Sequence, residues 1–335
     1  MPLIDIRAHG GVFGGGKYRK NSKIPAGALT DLQKTTYSVN DTNIYVVSVS
    51  PNGIYVAFSH QFAQTIRVYD AKTRQFIRQI NVPDDYSRND FIINDDGSIY
   101  YKYKVDLVKL NADGSVAWRK THSYNVGGLV PMTDGSVIIF LNDGKTCIRY
   151  APNGSVIFSR TSQSIDYNST SVGWNLKGDV FTSPNMTYIA KINTSTGVQI
   201  GSIYISVNGS TIIGALAVSP SGNYVSATYW DNSHQVRRYK GDLSTNTPVA
   251  VTNIFDTVST YRSFLMLNDN QLLMGAGSYT VLKLLDFVAL SWSDYETGFA
   301  SGPVYVDMDL DGNLYLSASG GSAWRKVERY YTLLR

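Results

Sequence analysis

The sequence predicts an all-β protein, a β-propeller of about seven four-stranded antiparallel blades, and three observations carry that prediction. Short runs rich in Val, Ile, Tyr and Phe, which suit a pleated and half-buried surface, recur throughout the chain. Asn-Gly and Asp-Gly pairs separate many of them, the strongest short-range sign of a hairpin. Groups of four such runs repeat roughly every 43 residues from Lys34 onward, a spacing typical of propeller blades. Composition agrees: charged residues are 17%, aromatics are 12%, Tyr alone numbers 24, and strong helix formers are sparse.

The repeat is clearest between Asn43 and Ile80. Ile44–Val49 leads through Pro51-Asn52-Gly53 into Ile54–Ser59. A looser link precedes Thr65–Tyr69, and Asp70-Ala71-Lys72-Thr73 turns into Gln75–Ile80. One such unit has two open edges and two unburied faces, so it needs copies of itself. The second repeat runs through Phe91–Asn94, Ile99–Tyr103, Val105–Leu110 and Val116–Lys120. In the third, only Val137–Leu141, Cys147–Tyr150 and Val156–Ser159 stand out. The fourth has Val172–Leu176, Val180–Thr182, Tyr188–Ile192 and Val198–Ile205. The fifth has Ile212–Val218, Tyr224–Tyr229, Val236–Tyr239 and Val249–Phe255. The sixth has Ser263–Leu267, Leu272–Gly275, Thr280–Leu284 and Phe287–Trp292. The last, Val304–Met308, Leu314–Ala318 and Trp324–Tyr331, lacks a fourth run. Thr35–Val39 is expected to supply it and so close the ring.

Within the repeats, Ile66-Arg67-Val68-Tyr69-Asp70-Ala71-Lys72-Thr73 resembles the strand-turn core of YVTN-type propeller repeats. Leu107-Val108-Lys109-Leu110-Asn111-Ala112-Asp113-Gly114-Ser115-Val116-Ala117-Trp118 is similar to PQQ-like repeats. The likeness implies the fold only, since the acidic and metal-binding residues of a quinone site have no match here. A Tyr-, Asn-, Ser- and Thr-rich body behind a Gly-rich arm also resembles the virion proteins of tailed bacteriophages.

That arm, residues 1–34, stands apart from the propeller of residues 35–335. It contains a Gly-rich stretch from Gly10 to Gly16, and its six basic and two acidic residues equal the whole chain's net charge of +4. Val12, Phe13, Lys17, Tyr18, Arg19, Lys20 and Lys23 are the residues expected to dock it on a neighbour, because glycine permits close backbone approach. Gly11 to Lys17 has the spacing of a phosphate-binding loop, but Tyr18 replaces its Ser or Thr, and no strand or helix flanks it.

Other chemical motifs are incomplete. Asp307-x-Asp309-x-Asp311-Gly312 copies the first half of a calcium loop, but Ala318 stands where its bidentate acid belongs. His9, His60, His122 and His234 fall in different segments without spaced partners. The single cysteine, Cys147, excludes an intrachain disulfide. No cofactor or metal is expected. No apolar run approaches the roughly 20 residues of a membrane span, and Met1-Pro2-Leu3-Ile4-Asp5 lacks a signal-peptide pattern.

In a meander, the first and third turns of every blade share one rim, and here they are tight. The opposite rim carries longer, irregular links with His60, Phe62, Tyr86, Tyr167, Trp230, His234, Tyr295 and Phe299 as a candidate binding surface. Together these readings predict a non-enzymatic virion protein of a tailed phage. The arm would attach it to other virion proteins in capsid, neck or tail, after assembly in the host cytoplasm. Its rim would be displayed toward a host-surface glycan or protein, and it would bind neither nucleic acid nor membrane. The alternative is a bacterial propeller enzyme or a carbohydrate-binding lectin.

Overall fold

The computed structural model describes residues 31–38, 44–60, 64–82, 91–161, 167–184, 187–205, 213–229, 235–254, 261–276, 282–295, 304–318 and 323–330. They form seven four-stranded antiparallel sheets. Strand β1 is Asp31–Ser38. Blade 1 is β2 (Ile44–Val49), β3 (Tyr55–His60), β4 (Thr65–Asp70) and β5 (Phe76–Asn81). Blade 2 is β6 (Phe91–Ile93), β7 (Ile99–Tyr103), β8 (Asp106–Leu110) and β9 (Val116–Thr121). Blade 3 is β10 (Val126–Pro131), β11 (Val137–Leu141), β12 (Thr146–Tyr150) and β13 (Val156–Thr161). Blade 4 is β14 (Tyr167–Trp174), β15 (Val180–Pro184), β16 (Tyr188–Ile192) and β17 (Gln199–Tyr204). Blade 5 is β18 (Ile213–Val218), β19 (Tyr224–Tyr229), β20 (Gln235–Lys240) and β21 (Ala250–Asn253). Blade 6 is β22 (Tyr261–Met266), β23 (Gln271–Ala276), β24 (Leu282–Asp286) and β25 (Ser291–Tyr295).

Blade 7 is β26 (Val304–Met308), β27 (Leu314–Ala318) and β28 (Ala323–Tyr330), completed by β1 on its outer edge. The ladder runs from Asp31 opposite Tyr330 to Ser38 opposite Ala323, so the ring is closed by the start of the chain. The closing strand begins at Asp31, earlier than the expected Thr35. The first strands of successive blades pack on one another and surround the central channel.

The tight turns follow from a small sequence device. In Asp96-Gly97-Ser98, Asp113-Gly114-Ser115, Asp134-Gly135-Ser136 and Asn153-Gly154-Ser155, the first side chain accepts the backbone N–H of the serine. Only the glycine takes a positive φ, 63° at Gly53 and 77° at Gly97, while Asn52 and Asp96 do not. The turns are therefore of type I followed by a left-handed residue, not the two-residue type with two positive φ values that an Asn-Gly pair first suggests. Gly97 N–H closes the turn on the Asn94 carbonyl at 3.0 Å.

These glycines also lie against the preceding blade around the ring. A Cβ at Gly53 would stand 2.5 Å from Asp309 Oδ2, and one at Gly97 would stand 2.8 Å from Arg78 Nη2. Gly53→Val and Gly97→Val are each expected to destabilise the protein by about 1–3 kcal/mol from backbone strain, with crowding adding to it. Urea midpoints equal to that of the parent would refute this account of the turns.

Seven apolar clusters lie mainly between adjacent blades rather than within one. Phe58 and Tyr69 of blade 1 pack with Tyr305, Tyr315 and Trp324 of blade 7. Ile203 and Ile205 of blade 4 pack with Leu216 and Val225 of blade 5. Half-buried sheets on a ring have no other place to hide their apolar faces.

Cations brace five of these joints, all buried except the half-buried Lys191. The residue just before the last apolar position of the third strand is Lys109, Arg149, Lys191 or Arg238 in blades 2 to 5, and in blade 7 Lys326 stands just before Val327 of its third strand. Each donates to a turn carbonyl of the next blade: Pro152, Thr194, Gly241, Asp269 and Ala71, respectively. Several also sit over a ring, as Arg238 does between Tyr224 and Phe287 at 4.5 and 4.6 Å. Ring faces and carbonyls compensate the desolvated cation, and Arg149 and Lys191 also pair with Asp134 and Asp179 at 2.7 and 2.8 Å.

Candidate functional site

All seven innermost strands run toward one end of the channel, the rim of the tight turns. Two cavities of about 200 and 180 Å³ lie there. The larger is walled by blades 4 to 7, the smaller mainly by blades 1 to 3, and Trp174, Leu176, Asp307 and Met308 line both. They are two halves of one channel mouth, with blade 4 facing blade 7 across it. The walls are mostly apolar, with Val172, Leu216, Val218, Phe264 and Leu265 on one side and Val46, Phe91, Ile92 and Leu129 on the other.

The polar exceptions are Asn175, Asp307 and Asp309 in the larger cavity and Ser48 and Asp307 in the smaller, and the position of Asp307 in the repeat explains how it is held. Gly N–H closes the first turn on Ser50, Asn94, Met132, Asn175, Ser219 and Asp309 in six blades. Two residues before these, and before Leu267 in blade 6, stand Ser48, Ile92, Val130, Gly173, Ala217, Asp307 and Leu265. Blade 7 alone carries an acid there. Its Oδ2 accepts the backbone N–H of Val49 in blade 1 at 2.8 Å, and its Oδ1 accepts that of Met308 at 2.8 Å. Ser48 makes the corresponding contact from blade 1 to Ile93 N–H of blade 2.

Asp307 is partly accessible from the channel, yet protein surrounds its carboxyl. Burial pushes its pKa up to about 7 against the pull of the two backbone donors, with the nearby Asp309 adding to the rise. The unfolded chain releases this proton near the ordinary value of 3.8. The contribution to stability is therefore full below that value and is lost as pH rises toward about 7.

Asp309 has a different task. It is 3% exposed, and its two oxygens accept Asp311 N–H, Asn313 N–H, the Asn313 side-chain amide and the Tyr315 hydroxyl. Burial raises its pKa as well. Alternation along a strand would have placed Asp307 and Asp309 on one face. Instead β26 ends at Met308 and Asp309 caps the turn, so the two carboxylates serve different partners. Among the described residues, no three His, Cys, Asp or Glu side chains are grouped to hold a metal ion.

The irregular rim is described only in part. His60 ends β3, opposite Ile44 of the innermost strand. Tyr167 begins β14. Tyr295, expected to be exposed, is buried between blades 6 and 7. Phe62, Tyr86, Trp230, His234 and Phe299 lie outside the described residues, as do the arm residues Val12, Phe13, Lys17, Tyr18, Arg19, Lys20 and Lys23. Five innermost strands shift register near this rim, for example between Ile44 and Val47 and between Ile213 and Leu216. His122 packs 5.9 Å from Tyr150 on the third blade, and burial lowers its pKa. Cys147 is fully buried and its pKa is raised, which makes it an unreactive core residue.

No family model matches the chain, and no curated protein matches it. Solved structures do. A catalytically inactive histidine-to-alanine variant of virginiamycin B lyase from Staphylococcus aureus, crystallised with quinupristin, is 12% identical with a TM-score of 0.67. That match covers 89% of this chain and 99% of the other. A streptogramin B lyase structure is 11% identical with a TM-score of 0.66, covering 91% and 100%. The likeness carries the fold. It also corrects the functional expectation: these propellers are enzymes, and nothing found links the chain to a phage or a virion. The reading as a non-enzymatic capsid, neck or tail component rested on composition and on the arm, and composition does not distinguish a Tyr- and Asn-rich virion protein from any other propeller.

Proposed function

We propose that the protein is a propeller enzyme of the lyase type, with its reaction centre at the channel mouth and Asp307 as the proton-transferring group. The carrying observation is Asp307 itself, an acid set into an apolar cavity and raised to about 7. A general base works best with a pKa near the operating pH. Its carboxylate would take a proton from a carbon of the substrate; the electron pair released forms a double bond as the leaving group departs, without water. Backbone donation from Val49 and Met308 fixes the orientation of the carboxyl, and the apolar walls restrict competing solvent. The two lyases that share this fold support the choice of reaction class.

The test is turnover of a panel of cyclic and linear depsipeptide esters, beginning with quinupristin, followed by chromatography and mass spectrometry. Asp307→Asn keeps an acceptor for Val49 N–H but cannot take a proton. It is expected to lower kcat/KM by about 10²–10⁴-fold, while the wild-type rate rises with pH through about 7. Full activity in Asp307→Asn, or a carboxyl titration showing no acid with a pKa above the ordinary range, would sink the assignment.

A further inference from the structure

We infer that Trp174 makes the channel mouth selective for an uncharged aromatic ring, held against the indole with its polar substituent turned toward Asp307. The inference rests on the same site as the proposed function but reads its binding preference. Trp174 ends the innermost strand of blade 4, is half-buried, and lines both cavities opposite Asp307 and Met308.

The other described tryptophans are committed to the fold. Trp118 and Trp292 donate their indole N–H groups to the carbonyls of Pro152 and Asn253. Trp324 is fully buried between Phe58, Tyr69 and Tyr315. Trp174 makes no hydrogen bond or ring contact among the described residues; part of its indole packs on the apolar cluster between blades 3 and 4, and the half-exposed remainder lines the channel. An indole braced on one side by the core and half-exposed in a concave site is a rigid recognition surface for another ring.

The walls decide which ring. Val172, Leu176, Leu216, Val218, Phe264 and Met308 offer little to the hydroxyls of a sugar and favour an aromatic or similarly apolar group. Asp307, with Asp309 behind it, opposes an anion, and among the described residues no Lys, Arg or His lines either cavity. The fitting ligand is therefore a neutral arene bearing a hydroxyl or amide.

Benzyl alcohol, benzoate and methyl glucoside serve as probes at pH 8, with the Trp174 indole N–H resonance as reporter, assigned by its absence in Trp174→Phe. Benzyl alcohol is expected to shift that resonance. Benzoate should bind at least tenfold more weakly, and methyl glucoside should leave the resonance unmoved. Trp174→Ala should weaken benzyl alcohol binding about tenfold, the scale of one lost stacking contact; Trp174→Phe, which keeps a ring and its packing, should retain most of it, as read by saturation-transfer NMR. Asp307→Asn should still bind benzyl alcohol and should bind benzoate better than the parent does. This separates the inference from the catalytic proposal, because binding requires no turnover. An unmoved Trp174 resonance with benzyl alcohol, or a preference for glucoside or benzoate, would overturn it.

Discussion

A chain lacking residues 1–38 is expected to lose cooperative unfolding and to associate, whereas one lacking residues 1–30 should fold as a monomeric propeller. The reason lies in β1, whose eight residues pair with β28 from Asp31–Tyr330 to Ser38–Ala323. Each ladder hydrogen bond contributes about 0.5–1.5 kcal/mol net, so the lost strand is comparable with the total stability of a domain, about 5–15 kcal/mol. It also uncovers the whole length of β28, an open edge that pairs with other chains. A cut at residue 33, placed from sequence just before the closing strand, would remove the partners of Tyr330, Arg329 and Glu328 and should fall between the two. Size-exclusion chromatography and thermal unfolding of the three truncations check this. Identical melting of all three as monomers would show that β1 does not close the ring.

Asp309→Ala is expected to destabilise the protein by about 3–5 kcal/mol, since several buried donors would each lose an acceptor at about 1–3 kcal/mol. Those donors are two backbone N–H groups, the Asn313 amide and the Tyr315 hydroxyl, at 2.9 to 3.1 Å. The same substitution empties the space beside Gly53. Asp309→Asn keeps one acceptor oxygen, and both Asn313 and Tyr315 are able to reorient, so it should cost less than half as much. Denaturant unfolding of the pair decides the matter: equal losses would mean that the charge of Asp309, not its accepting oxygens, holds the turn.

The blades were legible because each is local. Val137–Leu141 is bounded as its sequence indicates, and the Asp-Gly-Ser turns sit where the pattern places them. Strand β10 was hidden because Gly127, Gly128 and Pro131 give it the look of a loop. The outer strand of blade 6 slipped for a local reason. Asp286 accepts the N–H groups of Val288 and Ala289, Leu290 takes a positive φ, and the strand starts only at Ser291 instead of Phe287. The cation braces left a faint trace, a Lys or Arg inside an apolar run roughly once per repeat, but their partners lie in the next blade. Asp307 was visible as part of an acidic motif, whereas its setting was not. The channel mouth is assembled from seven segments spread across the chain, and no window of sequence contains it. Irregular links drew attention to the other rim, while the described cavities open among the regular turns.

A ring of similar blades could hold one ligand at every repeat, in which case binding would scale with blade number. Here the inward position two residues before the turn is Ser48, Ile92, Val130, Gly173, Ala217, Leu265 and Asp307 in turn, and a single acid breaks the pseudo-sevenfold symmetry. For a ligand that depends on that acid, the expected consequence is one site per ring. Calorimetry should return one molecule of such a ligand bound per chain.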